Sequence, residues 1–220
     1  MSKPAQKRKK KPDRIQRRNP DATRKRLLAA AIDEFTRHGF SGGRVERIVA
    51  RARVNMRMVY HYFDSKKGLY VAALEAVYVE IRDREQALEL DHLEPLEAID
   101  RLVDFTIDHF ASHPEFVSLT IGENVLKGRF IAGSKLIPKL SSPLVEQIRR
   151  VLERGASQGV VRRGVDPVAF YVSIVALACH HLNNRYTLSA AFGIDVGDPG
   201  WQKSYKRHAK HLISAFIRSS

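Results

Sequence analysis

Residues 44–63 contain two short amphipathic helical patterns separated by a tight connection, and this arrangement limits the fold more than any other stretch of the chain. Apolar residues recur at helical spacing in both patterns: Val45, Ile48, Val49 and Ala52 in the first, Val59 and Phe63 in the second. Asn55 stands just before the second pattern, where asparagine is a favourable helix N-cap. Two helices joined by a turn of about three or four residues form a helix-turn-helix. We therefore predict helices at about 45–52 and 56–62.

A further helix is predicted upstream of this motif. Asn19, Pro20 and Asp21 combine a favourable N-cap, a residue suited to the first helical position and an acid that suits the helix dipole. Apolar residues then recur at helical spacing until Gly39, which can adopt the left-handed conformation that ends many helices. The sequence thus predicts a first helix at about 20–38 and a small core shared by three helices.

Positive charge is concentrated in the first third of the chain. Residues 1–64 hold 18 Lys and Arg against 6 Asp and Glu, a net charge of +12. Residues 65–220 hold 20 against 18, so they add only +2 to the total of +14. A concentrated cationic patch releases counterions when it neutralises phosphates, which is typical of nucleic-acid-binding proteins. An acidic membrane surface attracts the same charge, so charge alone leaves both partners open.

Residues 1–18 carry nine basic residues, one acid, two prolines and almost no apolar side chains. We predict a disordered basic arm, because this stretch lacks the apolar surface needed to fold alone. Two roles remain open for it: an aid to solubility, or a contact with phosphates or a minor groove of DNA.

Length and composition favour a globular protein of the cytoplasm. A chain of 220 residues with 44% hydrophobic residues can bury a core, and we expect one small domain and one larger domain. No apolar run approaches the roughly 18 to 20 residues of a membrane span, so no membrane partner is predicted. The single cysteine, Cys179, cannot form an internal disulfide, which fits a reducing compartment.

The second helix of the motif is predicted to contact DNA bases. A helix in a major groove presents its N-terminal, outward side chains to the bases, here Met56, Arg57, Met58 and His61. Arg57 is the candidate for a guanine contact, because its planar fork can donate to O6 and N7 together. The methionines can pack on thymine methyl groups, although Met58 facing the first helix is an equally good interpretation.

Other side chains are candidates for contacts with the DNA backbone. Tyr60 and Tyr62 offer hydroxyl groups, and Lys66 stands near the start of the next helix, where backbone amides also bind phosphate. Three arginines on the preceding helix either contact phosphates or form a solvated cationic face: Arg44, Arg47 and Arg51.

Residues from Thr23 to about Leu74 closely resemble the N-terminal domain of the TetR family of bacterial transcriptional repressors. The segments that carry the resemblance are AAIDEF at 30–35, HGF at 38–40, IVA at 48–50, VN at 54–55, VYHYF at 59–63 and SKKGL at 65–69. The resemblance implies an all-helical homodimer in which this domain binds a palindromic operator in double-stranded DNA and a larger C-terminal domain binds an inducing small molecule. The residues that match family DNA contacts are Arg44, Asn55, Met56, Arg57, Met58, Tyr60, His61, Tyr62 and Lys66.

The C-terminal half resembles the branch of this family that contains the pyrimidine-responsive regulator of uracil catabolism. The segments that carry this second resemblance are NV at 124–125, PLV at 143–145, GVDP at 164–167 and NRYTLS at 184–189.

Two positions depart from the family pattern. Arg53 stands in the turn where the family usually has glycine, and Gly43 stands where it commonly has threonine or serine. If residue 53 keeps a left-handed backbone, a side chain there costs on the order of 1 kcal/mol. Loss of a hydroxyl at residue 43 removes one phosphate contact, and Arg44 is the residue placed to replace it.

The rest of the chain is predicted to be helical. We expect helices at about 66–90, 94–112, from residue 114, and at 166–190 and 200–218, with prolines punctuating the chain at 138, 143, 167 and 199. The last two helices carry broad apolar faces, which either complete the core of a monomer or form a homodimer interface, as the resemblance implies. Three segments follow: a basic arm at 1–18, a helix-turn-helix domain at 19–66, and a ligand-binding and dimerisation domain at 67–220.

Candidate contacts for a small-molecule effector combine aromatic walls with a few polar groups. They are Phe105, His109, Phe116, Thr120, Asn124, Tyr171 and Asn183, for which ordinary core packing is the alternative. Paired histidines at 109 and 113 and at 180 and 181 lack the further Cys or carboxylate ligands of a zinc site. No metal and no other cofactor is therefore predicted.

We conclude that the sequence encodes a ligand-responsive DNA-binding regulator, with repression as the family default. An enzyme is disfavoured, because the chain lacks a Gly-rich phosphate loop, a nucleophile elbow, a Cys-x-x-Cys pair and a recognisable carboxylate pair. A sequence-neutral architectural DNA-binding protein, dominated by the basic arm, is the main alternative.

Overall fold

Ten α-helices account for nearly all regular structure in the computed structural model, which describes residues 20–219. They are α1 (Pro20–Gly42), α2 (Val45–Ala52), α3 (Arg57–Phe63), α4 (Lys66–Gln86), α5 (Pro95–Ser112), α6 (Pro114–Val125), α7 (Leu136–Ser157), α8 (Pro167–Asn183), α9 (Arg185–Phe192) and α10 (Pro199–Ile217). Short 3-10 turns lie at Leu90–His92 and Ile131–Gly133. The predicted all-α class is confirmed, whereas the predicted arm at 1–18 and the N-cap Asn19 lie outside the described residues.

The helices α1 to α3 pack around one apolar core. Its central side chains, Leu27, Ala31, Ile48 and Val59, are all fully buried. Regular helix in α1 is interrupted at Gly39, which has φ 61° and ψ −175°, and one further turn follows the kink. Gly39 therefore breaks the first helix where the sequence predicted its end.

A buried carboxylate fixes α2 against α1. Glu34 accepts a hydrogen bond from the backbone N–H of Arg44 at 3.0 Å and another from Nε of Arg47 at 2.7 Å. The hydrogen bond from Arg47 lowers the pKa of Glu34 below its usual value, and the amide of Arg44 adds to this. Because ionised Glu34 satisfies an N-terminal donor of α2, the start of the helix-turn-helix is set by this one side chain.

Gly43 has a packing role between α1 and α2. A Cβ atom there would lie 2.6 Å from Cδ1 of Phe35 and 2.9 Å from the carbonyl oxygen of Gly39. The Phe35 ring is buried, so a larger residue would force the helices apart. Glycine at residue 43 thus allows α1 and α2 to approach closely at this point.

The long helix α4 joins this N-terminal bundle to the rest of the chain. Its inward stripe, Leu69, Tyr70, Leu74, Val77 and Ile81, is buried along almost its whole length. At one end α4 packs on α1 and α3, and further along it packs on α6 and α7. The helices α5, α7 and α8 pack on one another to complete the larger core.

Helix starts follow the sequence signals closely. Asp166 accepts a hydrogen bond from the backbone N–H of Ala169 at 2.7 Å, and Asp198 accepts one from Trp201 at 2.8 Å. Both acids precede a proline, as predicted for the first position of a helix.

Two predicted helix boundaries are wrong, and one of the prolines expected to punctuate the chain does not interrupt a helix. Pro143 does not end a helix but lies inside α7, where the apolar residues that follow it are buried and hold the helix together. The helix α4 ends at Gln86 and not at about 90, since Glu89 takes a left-handed conformation. The helix predicted at 166–190 stops at Asn183, because Asn184 has non-helical φ −109° and ψ 18°.

Apolar side chains on α8 and α10 form an outer stripe. Val168 and Val172 on α8 are exposed, as are Leu212 and Phe216 on α10. Residues four apart lie on the same side of a helix, and the two helices pack against each other. The inner residues of the predicted apolar faces are buried in the core of the chain, and the outer stripe of each face remains exposed.

The αL turn after α2 yields a stability prediction. Arg53 has φ 54° and ψ 50° and its side chain is exposed, so the left-handed strain is not offset by side-chain packing. Arg53→Gly is expected to raise the free energy of unfolding by roughly 0.5 to 1 kcal/mol, because glycine adopts this conformation without the Cβ penalty. Urea unfolding measures the change.

The matched control is Arg53→Ala, which removes the same charge but keeps the Cβ atom. It should leave the free energy of unfolding within about 0.5 kcal/mol of the parent value. An equal gain for both variants would assign the effect to charge and not to backbone strain.

A second stability prediction comes from His109 on α5. The side chain is only 4% exposed, and its ring stacks on Phe105 and His113 at centroid distances of 5.4 and 4.1 Å. Burial, with a contribution from His113, lowers the pKa of His109 to about 4. The unfolded chain, with a His pKa near 6.5, therefore binds the proton more readily than the native state. The stability that neutral His109 contributes is lost as the pH falls from about 6.5 to 4.

Between about pH 7 and pH 5 this loss should amount to about 2 kcal/mol. His109→Phe, which can keep the ring stack, is expected to reduce the pH dependence of the free energy of unfolding by that amount. The comparison requires urea unfolding at both pH values, with the exposed His92→Gln as a control. An unchanged pH dependence in His109→Phe would show that buried His109 is not the source of the stability loss at low pH.

Candidate DNA-binding surface and small-molecule cavity

The start of α3 is organised by Asn55. Its Oδ1 accepts a hydrogen bond from the backbone N–H of Arg57 at 2.8 Å, and its carbonyl oxygen accepts one from Met58 at 2.9 Å. Val59 and Phe63 are buried below. The cap and these two anchors turn the opposite side of α3 outward.

The outward side of α3 carries Arg57, Tyr60 and His61, all exposed, and Tyr60 is 54% exposed. Met56, Met58 and Tyr62 are half-buried and pack partly on the core. Arg57 forms no ion pair within residues 20–219, so its guanidinium is available to a partner. The candidate base contacts thus divide into free polar groups and apolar groups already half covered by protein.

Ion pairing separates two classes of arginine around this surface. Arg47 pairs with Glu34, while Arg51 and Arg37 both pair with Asp33. These acids lie on α1, so the cations of α2 partly stabilise the contact between the two helices. Arg44 is exposed, and in the described part of the chain only its backbone amide is bonded to an acid.

Besides Arg24, whose guanidinium lies over the Phe63 ring of α3 at 5.3 Å from the centroid, two arginines that were not selected from the sequence lie next to α3. Arg26 and Arg53 are exposed and without ion pairs in the described part of the chain. They share a groove of about 230 Å³ with Asn55, Met58 and Tyr62. Arg53 could have been found from its place in the turn, whereas Arg26 is separated from α3 in sequence.

Lys66 connects the N-terminal end of α4 to an aromatic cluster. Its Nζ lies over the Phe40 ring at 4.7 Å from the centroid. Phe40 in turn contacts Tyr70 and Phe130, with centroid distances of 5.1 and 4.3 Å. Lys66 is half-buried by this packing, and its ammonium is held beside the N-terminus of α4, where Ser65 accepts a hydrogen bond from Gly68.

A cavity of about 260 Å³ lies between α4, α5, α6 and α8. Its lining contains five of the seven predicted effector contacts: Phe116, Thr120, Asn124, Tyr171 and Asn183. The other lining residues are Tyr78, Arg82, Phe110, Val117, Ile121, Val175 and Cys179. The remaining two predicted contacts, Phe105 and His109, belong to the histidine stack on α5 and do not line this cavity.

A buried polar triad borders the cavity. Nη1 of Arg82 donates to the Tyr171 hydroxyl at 2.9 Å and to the carboxylate of Glu85, and the Tyr171 hydroxyl donates to the same carboxylate at 2.6 Å. Arg82 is 7% exposed and Glu85 is fully buried. Neither residue is among the contacts predicted from the sequence, although two charges three positions apart on the apolar side of α4 were a visible signal.

No group of three or more His, Cys, Asp or Glu side chains suited to a metal ion occurs within residues 20–219. Likewise, none of the helices in this range is long and apolar enough to cross a membrane.

Two family models match the chain. The model described as "Bacterial regulatory proteins, tetR family" matches residues 27–73. The model described as "Tetracyclin repressor-like, C-terminal domain" matches residues 95–213. The first covers the helix-turn-helix and the second covers most of the larger core.

Several known proteins are similar to this chain over most of its length. The HTH-type transcriptional repressor NicS of Pseudomonas putida is 35% identical, over 84% of this chain and 87% of the relative. The HTH-type transcriptional regulator RutR of Escherichia coli is 25% identical, over 90% and 91% of the two chains. The crystal structure of the transcriptional regulator SCO4942 from Streptomyces coelicolor matches with a TM-score of 0.64 and 26% identity, covering 89% and 98%. The chain therefore belongs to the TetR family of bacterial helix-turn-helix transcriptional regulators.

Proposed function

We propose that the protein is a ligand-responsive repressor that binds a palindromic DNA operator as a homodimer and is released by a small molecule. The observation that carries the proposal is the single helix α4, which starts at the DNA-facing surface and passes beside a partly open cavity. Relatives of the same family support the repressor role, since NicS is named a transcriptional repressor.

Base recognition is assigned to the exposed side of α3. Arg57 stands at the N-terminal end of that helix, the part that reaches base edges when such a helix enters a major groove. Its free guanidinium can donate two parallel hydrogen bonds to guanine. His61 follows one turn later, and the partly covered Met56 and Met58 can add apolar contacts with thymine methyl groups.

Phosphate contacts are assigned to the exposed cations that lack an acidic partner. Arg44, Arg53 and Arg26 meet this condition among the described residues near α3, with Tyr60, Tyr62 and Lys66 as further donors. Arg47 and Arg51 do not meet it, because α1 already supplies their counterions. Arg53 is of special interest, because a strained left-handed backbone presents its side chain beside Asn55.

Dimerisation is assigned to the outer stripe of α8 and α10. Two copies of α3 are needed to read two half-sites, which lie about 34 Å or more apart on the duplex. A two-fold axis through the stripe would bring the same apolar residues of both chains together, with Val172 and Phe216 near its centre. The exposed apolar side chains then find the partner that one chain alone does not provide.

Release by a ligand follows from the position of α4. Arg82 borders the cavity and Lys66 lies 16 residues earlier, about 24 Å away along the helix axis at 1.5 Å per residue. A ligand that shifts α4 at one end changes the orientation of α3 at the other, because α4 packs directly on both α1 and α3. Two half-sites on rigid DNA cannot follow such a change, so operator affinity falls.

Substitution of two arginines tests the DNA assignment. Arg57→Ala should cost about 1 to 3 kcal/mol of discrimination between operator and scrambled DNA. Arg53→Gln should weaken binding to both sequences and reduce the slope of log K against log salt by about 1. Fluorescence anisotropy with DNA from upstream of the protein's own gene, over a series of salt concentrations, measures both effects.

Arg51→Gln is the matched control, because its partner Asp33 keeps a second ion pair with Arg37. It should leave the salt slope unchanged. Equal affinity of the parent protein for operator and scrambled DNA would instead support the sequence-neutral architectural protein. Equal salt slopes for the variants at 51 and 53 would contradict the assignment of phosphate contacts to the arginines without an acidic partner.

Charge placed in the outer stripe tests the dimer. Val172 is 57% exposed, so Val172→Asp should fold normally in one chain but place an unpaired carboxylate in the interface. We expect the dimer dissociation constant to rise by at least about a hundredfold, roughly 2.7 kcal/mol. Sedimentation equilibrium measures it. Val125→Asp, on the exposed end of α6, should not change it, and an undisturbed dimer in Val172→Asp would rule out this face.

A further inference from the structure

We infer that the effector of this protein is a small aromatic carboxylate and that Arg82 is its anchor. This inference rests on the proposed function, since it names the chemical class that the cavity takes. Arg82 is more than nine-tenths buried, and yet its Nε has no hydrogen-bond partner in the structure.

The unpaired donors of Arg82 lie on one edge of the guanidinium group. Both hydrogens of Nη1 are used, one on the Tyr171 hydroxyl and one on the Glu85 carboxylate. Nε and Nη2 form the adjacent edge, and neither donates to any residue in the range 20–219. Two parallel N–H donors on one edge fit the two oxygens of a carboxylate. A single carbonyl oxygen would leave one of these donors unsatisfied.

Glu85 supports this arrangement and does not compete for the unpaired edge. It lies on the Nη1 side, where the Tyr171 hydroxyl also donates to it, and this pairing balances the charge of Arg82 before a ligand arrives. The other buried carboxylate nearby, Glu123, is not part of the cavity lining and accepts from the backbone amides of Phe130 and Ile131.

The remaining walls select a ring of limited size. Tyr78, Phe110 and Phe116 line the cavity with aromatic surface. A cavity of roughly 150 Å³ is enough for benzene, so about 260 Å³ accommodates one ring with a carboxylate and few further atoms. Asn124 and Asn183 are exposed, and their side-chain amides make no hydrogen bond to the described part of the chain, so they can bind a polar substituent at the opening.

Binding to matched acids and amides tests the inference on the full-length protein. Isothermal titration calorimetry would compare benzoate, 4-hydroxybenzoate and phenylacetate with the corresponding amides, which have nearly the same shape but no charge. We expect at least one acid to bind about tenfold or more tightly than its amide. No binding of any acid at millimolar concentration, or equal binding of acid and amide, would overturn the proposal.

Two variants assign the effect to Arg82. Glu85→Gln keeps the guanidinium group and should keep the preference for the acid. The double variant R82Q/E85Q avoids an unpaired buried carboxylate and should bind acid and amide alike, while circular dichroism confirms that it is folded. A preference for the acid that survives in the folded double variant would remove Arg82 from the site.

The same compounds, added to the operator complex, separate this inference from the proposed function. An acid that binds through Arg82 without releasing DNA would uphold the ligand class and reject the release mechanism. Release of DNA by a neutral compound, with no binding of the acids, would uphold the release mechanism and reject the ligand class.

Discussion

The packing of α4 is the constraint on which the rest of the structure depends. Its buried stripe from Leu69 to Ile81 belongs to both cores, since the same helix packs on α1 and α3 near its start and on α6 and α7 further along. A helix buried on this scale behaves as a rigid element, because close-packed side chains transmit displacement and do not absorb it. The helix-turn-helix and the cavity therefore both pack on one rigid helix.

Local sequence signals predicted much of this fold because their physics is local. Asp166 and Asp198 cap helices through hydrogen bonds that span only three residues, and the spacing of Val59 and Phe63 depends only on the helical repeat. Pro143 lies inside a helix for the opposite reason. The burial of residues after it in α7 is a tertiary effect, and it outweighs the local preference of proline to interrupt a helix.

The site was less predictable because its chemistry depends on pairs far apart in sequence. Arg47 and Arg51 look equivalent to Arg53 in the sequence, and only their contacts with Glu34 and Asp33 distinguish them. Tyr171 was selected as an aromatic wall, but its hydroxyl group completes a triad with residues of α4 that lie more than eighty positions earlier. Residue type alone identified five of the seven cavity residues, because aromatic and polar side chains are typical of pockets. The same criterion selected His109, which does not line the cavity, because residue type does not give position in the fold.

The contacts of Phe40 and Phe35 also concern how the protein is made. Phe40 packs on Tyr70 and on Phe130, and the Phe35 ring meets the edge of Tyr70 at a centroid distance of 5.0 Å. Phe40 and Phe130 are ninety positions apart in the sequence, so residues far beyond the helix-turn-helix complete part of its aromatic packing. Phe40 therefore cannot complete its ring contacts until Phe130 has been synthesised.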